Sequence, residues 1–242
     1  MMELFDMLGF GEQGWGSALL LATLLTVALT LCGLLVGAVF GALVAAAKLS
    51  PRRGWRALGE LYSTVFRGIP ELLVIYLFYF GGSTAITAIG QWFGAEGFIA
   101  TPPFLVGTLA VGMISGSYQA EVYRGAYLAV VQGELEAARS IGMPTLMLAQ
   151  RILMPQIFRL SLPGLGNVWQ MSLKDSALIS VTGLAELMRT TQIGAGSTRQ
   201  YFTFYIVGGI IYLVLTGMSN QVFSRSERHM NKSQRRSLAG GH

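Results

Sequence analysis

The chain has 242 residues, of which 52% are hydrophobic and 12% charged. Soluble globular domains carry about a quarter charged residues, so this composition excludes an ordinary water-soluble enzyme or binding domain and indicates a membrane protein. The net charge of +5 does not require a nucleic-acid partner, because basic residues beside a membrane are attracted to anionic lipid.

Five apolar blocks are long enough to cross the roughly 30 Å hydrocarbon core of a bilayer, which takes about 20 helical residues. Backbone groups in lipid must bond to each other, so we expect every block to be an α-helix. The fourth block is the weakest, because Lys174 and Asp175 interrupt it. The predicted spans run from about 17 to 47, 58 to 80, 103 to 131, 161 to 184 and 201 to 223.

The distribution of basic residues predicts the orientation, since Lys and Arg favour the cytoplasmic side. They lie after the first span, after the third span and in the tail, whereas the segment from 81 to 102 has none. We predict a periplasmic segment over 1–16, a single transmembrane domain over 17–224 and a cytoplasmic tail over 225–242. The N-terminal segment holds only acidic charges, Glu3, Asp6 and Glu12, and the tail holds Arg225, Arg228, Lys232, Arg235 and Arg236.

The connection between the third and fourth spans, residues 133–160, is longer and more polar than the others and is named the elbow. Residues 134–139 are mostly good helix formers, and Gly142 can adopt the left-handed conformation that ends a helix. Pro144 suits the first turn of a second helix, and Pro155 marks its predicted stop. The pattern predicts a cytoplasmic helix–turn–helix too short to cross the membrane. An amphipathic helix lying on the membrane surface would fit the same pattern.

The spacing within the elbow resembles the EAA loop of permease subunits in bacterial binding-protein-dependent ABC importers. That pattern is E-A-A, three residues, G, nine residues and I-x-L-P, and here Met154 replaces the Leu, a mild change because the size is conserved. The resemblance implies that the elbow docks into a cleft on a cytoplasmic ATPase subunit. The matching residues, which would couple the chain to that ATPase, are Glu136, Ala137, Ala138, Gly142, Ile152 and Pro155.

Three other segments are similar to the polar amino-acid permeases of this family. They are Phe66-Arg67-Gly68-Ile69-Pro70, Ser117-Tyr118-Gln119-Ala120-Glu121 and Leu173-Lys174-Asp175-Ser176-Ala177-Leu178. Glu71 and the stretch from Gly194 to Thr198 resemble the Q-type permeases of basic amino-acid and opine systems. The resemblance implies the fold of the methionine (MetI-like) and maltose importer permeases. It also implies a heterodimer with an M-type permease, two ATP-binding cassette ATPases and a periplasmic solute-binding protein.

Ionisable residues inside the membrane cost about 2.5–3.5 kcal/mol each on insertion scales, so they should face protein or water. Glu121 lies in the inner half of the third span, and Lys174 and Asp175 lie near the middle of the fourth. These three residues, with Tyr118 as a neutral neighbour, would line a path for a polar solute. Structural pairing, such as Lys174 with a carboxylate, or contact with the partner subunit is the equal alternative. For Glu71, near the predicted entry of the second span, snorkelling to the interface favours a structural role.

The sequence contains no G-x-x-x-x-G-K-[ST] loop, so we expect ATP hydrolysis on another polypeptide and no enzymatic activity or cofactor here. His229 and His242 lack the clustered ligands of a metal site. The predicted function is an inner-membrane importer subunit for a basic amino acid or opine, working by alternating access. A secondary transporter or channel is the alternative, although such proteins usually show repeated halves. A membrane-embedded enzyme would need converging catalytic groups, which we do not identify.

Overall fold

The computed structural model describes residues 7–11, 14–94, 97 and 99–239, with side chains described as far as Met230. The regular elements within these ranges are all helical. The α-helices are α1 (Gly16–Leu49), α2 (Arg53–Gly68), α3 (Glu71–Trp92), α4 (Pro103–Leu128), α5 (Gln132–Ser140), α6 (Thr145–Leu148), α7 (Met154–Asp175), α8 (Leu187–Thr198) and α9 (Tyr201–Ala239). A π-helical segment (Ala149–Leu153) joins α6 to α7, and a 3-10 helix (Ser176–Thr182) follows α7. Glu3, Asp6, Glu12 and His242 lie outside the described residues, as do the side chains of Lys232, Arg235 and Arg236.

Three described helices are both long and apolar enough to cross a membrane, namely α1, α3 and the part of α9 from Tyr201 to Met230. They correspond to the first, second and fifth predicted spans. The third and fourth predicted spans correspond to α4, with 26 residues, and α7, with 22 residues. The number of spans and the orientation of the termini stay predictions.

The predicted boundaries of the second span, 58–80, are wrong. α2 ends at Gly68, Ile69 and Pro70 have extended backbone with ψ of 139° and 131°, and α3 begins at Glu71 and continues to Trp92. Proline disfavours helical backbone at the residue before it and lacks the N–H that a continuing helix needs. The apolar block is therefore divided between two helices.

α1 and α4 run parallel and pack closely through glycines. A Cβ on Gly41 of α1 would lie 2.8 Å from the Cβ of Gln119 and 3.1 Å from the carbonyl oxygen of Gly116. A Cβ on Gly112 of α4 would lie 3.1 Å from the carbonyl oxygen of Gly33. Small residues allow membrane helices to approach each other, so these glycines set the separation between α1 and α4.

α7 and α9 run antiparallel beside this pair. A Cβ on Gly166 of α7 would lie 3.2 Å from the ring of Phe223 on α9, and Gln170 donates a hydrogen bond to Asn220. On its other side α7 approaches α4, where Gly164 faces Val122. α7 is therefore held between α4 and α9 over much of its length.

A buried carboxylate fixes the start of α8. The two oxygens of Glu186 accept hydrogen bonds from the backbone N–H groups of Met188 and Arg189, at 2.9 Å and 2.7 Å. The hydroxyl oxygen of Thr26 on α1 accepts from the N–H of Leu187 at 3.0 Å. These bonds satisfy three of the unpaired donors at a helix N-terminus and attach α8 to α1.

Candidate functional site

The bend of the elbow follows from one pattern of backbone hydrogen bonds. The N–H of Gly142 donates to the carbonyl of Arg139 at 2.9 Å, and the N–H of Met143 donates to the carbonyl of Ala138 at 3.1 Å. This is a Schellman ending, which needs a left-handed residue where Gly142 has φ of +77°. The bend predicted at Gly142 is confirmed. The two hydrogen bonds of the Schellman ending also explain why Gly142 lies four residues after Ala138.

The inner side of the elbow is a small hydrophobic cluster. Its buried members, with the residues packed against them, are Val130, Leu135, Ala138, Leu148, Met143, Ile152, Leu153 and Ile157. Because these side chains come from α5, α6 and the start of α7, the cluster joins the elbow to α7 as one packed unit. Ala138 and Ile152 therefore serve this packing, whereas Glu136 and Ala137 are exposed.

The outer side of the elbow presents apolar side chains to its surroundings. Ile141 is 80% exposed and Leu146 is 70% exposed, on either side of Gly142. Large exposed apolar groups beside one another mark a contact site for protein or membrane. The elbow thus has one face occupied by its own cluster and one face free for a partner.

The prediction that Pro155 stops the second helix is wrong. The helix continues from α6 through a π-helical segment, Ala149–Leu153, into α7, where Pro155 lies in the first turn. A proline ring clashes with the carbonyl four residues earlier in a regular α-helix, and the wider π turn changes that hydrogen-bond register. Pro144, predicted within the first turn, instead directly precedes α6. One continuous helical element therefore runs from the elbow to Asp175.

Glu121 lies in an ionic cluster where α1, α2 and α4 meet. Its carboxylate pairs with Lys48, whose side chain is only 3% exposed, and lies 3.1 Å from Nε of Arg124. Nζ of Lys48 also lies 3.0 Å from Glu60 of α2, and a guanidinium nitrogen of Arg67 lies 3.9 Å from Glu121. The sequence left two alternatives for Glu121, a place in the solute path or a structural role such as an ion pair. In the structure Glu121 forms the ion pair. From the sequence, its partner Lys48 was recognised only as one of the basic residues that indicate the orientation in the membrane.

Asp175 lies beside a second carboxylate. The side chains of Asp175, at the end of α7, and Glu71, at the start of α3, lie next to each other. Tyr118 of α4 lies close to both, and the guanidinium of Arg67 is 5.4 Å from the centre of the Tyr118 ring. Two carboxylates this close repel each other when both are ionised, so the pair favours a shared proton or a cation bound beside it. We name Glu71 and Asp175 the acidic pair.

The interruption at Ile69 and Pro70 explains this meeting, because Glu71 then starts a new helix that packs against α4 and against the 3-10 helix following Asp175. Sequence reasoning assigned Glu71 a structural role at the interface and so missed it. Lys174, by contrast, is exposed and forms no ion pair among the described side chains. The suggested pairing of Lys174 with a carboxylate is therefore not formed within the described part of the chain.

A polar cavity of about 410 Å³ lies beside the ionic cluster and extends to Tyr118. Its lining includes Arg67 and Tyr118 on the side of the acidic pair, and Lys48, Glu60 and Glu121 on the side of the ionic cluster. The lining carries both signs of charge, so the cavity suits a zwitterionic or charged solute.

The family model described as "Binding-protein-dependent transport system inner membrane component" matches residues 37–232. The octopine transport system permease protein of Rhizobium radiobacter is 51% identical over 235 residues, covering 97% of this chain and 99% of that protein. The histidine/lysine/arginine/ornithine transport system permease protein of Escherichia coli (strain K12) is 35% identical over 223 residues, covering 92% and 97%.

Two solved structures are similar in fold. An amino acid ABC transporter with histidines has a TM-score of 0.73 at 31% identity, covering 89% of this chain and 95% of the other. The MetNI methionine ABC transporter in an inward-facing conformation has a TM-score of 0.74 at 16% identity, covering 91% and 99%. The predicted fold, all-helical and like that of the methionine importer permeases, is confirmed.

Proposed function

Because the chain belongs to the family of binding-protein-dependent transport system inner membrane components, we propose that it forms the path for a basic amino acid or opine in an ATP-driven importer. One observation carries the proposal. The continuous helical element from Thr145 to Asp175 joins the exposed elbow to the acidic pair. At 1.5 Å per residue it is about 45 Å long, so a displacement of the elbow moves Asp175 with it.

The chemistry of the acidic pair supports a cationic solute. A basic amino acid or opine carries a guanidinium or ammonium group, which Glu71 and Asp175 would bind with charge-assisted hydrogen bonds. Arg67, which lies over the Tyr118 ring, would receive the solute's carboxylate. The named solutes of the relatives, octopine in one case and histidine, lysine, arginine and ornithine in the other, fit this arrangement.

The polar cavity beside Tyr118 supports a route of release towards the C-terminal ends of α1 and α4. The ionic cluster of Lys48 and Glu121 lies at the far side of this cavity. It would hold α2 against α1 and α4 while the solute lies at the acidic pair. In the proposed cycle, ATP binding moves the elbow and opens the path to the periplasm. ATP hydrolysis then returns the elbow and the path to their starting positions.

The proposed assembly contains a second, M-type permease subunit, two ATPase subunits below the elbows and a periplasmic solute-binding protein. Exposed Ile141 and Leu146 provide the apolar surface that each ATPase would cover. ATP hydrolysis is assigned to those subunits, since the sequence lacks a phosphate-binding loop. The proposed coupling residues remain Glu136, Ala137, Ala138, Gly142, Ile152 and Pro155.

Uptake by the assembled importer in proteoliposomes tests the proposal. The labelled solutes are arginine and octopine, with leucine as the comparison solute without a cationic side chain. Glu71→Gln and Asp175→Asn are each expected to reduce ATP-dependent arginine or octopine uptake at least about tenfold. Arg53→Gln removes an exposed charge at the start of α2, away from the predicted path, and serves as the control, with uptake close to that of the wild type. Unchanged arginine and octopine uptake in both acidic-pair variants would refute the solute assignment. Ion-coupled uptake by this chain without ATPases would establish a secondary transporter instead.

A further inference from the structure

A second polar cavity, of about 590 Å³, lies on the opposite side of α7 from α1. It is named the basic cavity. Its lining includes Arg151, Pro155 and Arg159 from the elbow and α7, Glu134 from α5 and His229 from α9. Three separate helices therefore contribute to it, and α9 has no part in the solute path proposed above.

Within the described side chains, only Glu134 opposes the positive charge of the basic cavity. Among the described side chains, neither Arg151 nor Arg159 forms an ion pair. The one carboxylate in the lining, that of Glu134, accepts a hydrogen bond from Gln156. Two guanidinium groups facing one open cavity indicate an anionic ligand, and their paired N–H donors suit the oxygens of a phosphate group.

The level of the basic cavity is set by the register of α7 and α9. Phe223, which packs against Gly166, ends the apolar part of α9, and His229 lies six residues further, about 9 Å along the helix. The headgroup layer adds roughly 5–7 Å to each side of the hydrocarbon core. On the antiparallel α7, Arg159 lies seven residues before Gly166, about 10 Å from that level, so Arg159 and His229 lie together just beyond the apolar parts of their helices. Arg151 lies about 12 Å further towards the elbow.

We propose that the basic cavity binds the phosphate of an anionic phospholipid from the leaflet on the elbow side. Basic pockets between membrane helices at this level bind acidic headgroups. The bound headgroup links α9 to the start of α7 and to α5, so it stiffens the base of the elbow. Free phosphate has the same chemistry, and an acidic side chain of an ATPase is the other candidate anion.

Native mass spectrometry of the purified importer complex tests the site. The complex is exchanged into phosphatidylcholine nanodiscs with and without phosphatidylglycerol. It is then released from the nanodiscs in the mass spectrometer, and the number of phosphatidylglycerol molecules retained per complex is measured. Arg151→Gln and Arg159→Gln are each expected to lower retention roughly fivefold, and the double variant more. Arg228→Gln removes one charge from the same region of α9, where its Nε donates to the carbonyl of Ser224. It is the control and should retain the lipid.

Three outcomes overturn the proposal. If phosphatidylglycerol retention is the same in the wild type and the arginine double variant, the cavity is not a lipid site. Inorganic phosphate and glycerophosphate, the free headgroup, are also added as competitors of the bound lipid. If inorganic phosphate displaces the lipid at the same concentration as glycerophosphate does, the site recognises a soluble anion. Loss of ATPase from the double variant, with lipid retention unchanged, would assign the arginines to the ATPase contact. Solute specificity is not involved in any of these readouts.

Discussion

Lys48 and Glu121, 73 residues apart in the chain, form an ion pair that fastens α1 to α4. The pair is protected from solvent on the lysine side and lies next to Glu60 of α2. Three helices thus meet at one cation. The charge of Glu121 is therefore paired within the protein, which is why the proposed function assigns the solute to the acidic pair instead.

Lys48→Met is expected to lower the free energy of unfolding by about 2–3 kcal/mol. Losing one partner of a fully buried pair costs about 3–5 kcal/mol, and Arg124 remains to compensate Glu121 here. The measurement is thermal unfolding of the purified complex in detergent. Lys174→Met, at an exposed lysine, is the matched control and should change the midpoint little. An equal effect of the two variants would show that Lys48 has no special structural role.

Gly41→Val is expected to destabilise the chain by about 1–3 kcal/mol, because the new side chain meets the backbone and side chain of α4. Gly217→Val, at an open position on α9 with no atom within 4 Å of the added Cβ, is the control. Monodispersity and midpoint of unfolding report the difference. If Gly41→Val behaves as Gly217→Val does, the close approach of α1 and α4 is incorrect.

Gly142→Ala is expected to reduce ATP-coupled uptake while membrane insertion stays normal. An added Cβ meets no atom within 4 Å, so the effect comes only from the backbone at φ of +77°, at roughly 1–2 kcal/mol. Gly142→Asn should retain more uptake than Gly142→Ala, since Asn tolerates the left-handed region. Gly133→Ala, at an equally open position with an ordinary backbone, is the control. Full uptake by Gly142→Ala would count against the bend.

Arg199→Gly is expected to stabilise the chain slightly, by about 1 kcal/mol. Arg199 is exposed and has φ of +58° between α8 and α9, a conformation that glycine adopts without the cost of a Cβ. Arg199→Ala keeps the Cβ and should leave the midpoint near that of the wild type. A lower midpoint for Arg199→Gly than for Arg199→Ala would contradict this explanation.

Local features of the chain were predictable from the sequence because they depend on near neighbours. The bend at Gly142 follows from the residues that precede it, and the apolar blocks of α1 and α9 follow from hydropathy. The failed prediction at Pro155 is also local. Proline usually stops a helix, but here a π-helical segment precedes it and the helix continues.

The site itself depends on distant residues, which the sequence alone could not bring together. Glu71 and Asp175 meet because α3 starts at Glu71 after the interruption at Ile69 and Pro70. Lys48 looked like one of many basic residues at a membrane boundary, and only the packing of α2 against α1 buries it. Glu186 gave no usual helix-start signal, because Ser, Thr, Asp and Asn are the common capping residues.

In the proposed importer the outer face of the elbow contacts the ATPase. Cysteine cross-linking between the elbow and the ATPase measures this contact most directly. In a Cys32→Ser background, Ile141→Cys and Leu146→Cys are paired with cysteines placed around the ATPase cleft, and Leu43→Cys on the exposed face of α1 is the control. We predict cross-links from 141 and 146 to the ATPase, with yields that change on ATP binding, and none from 43. Cross-linking from 141 and 146 no greater than from 43, in an assembled and transporting complex, would contradict the account.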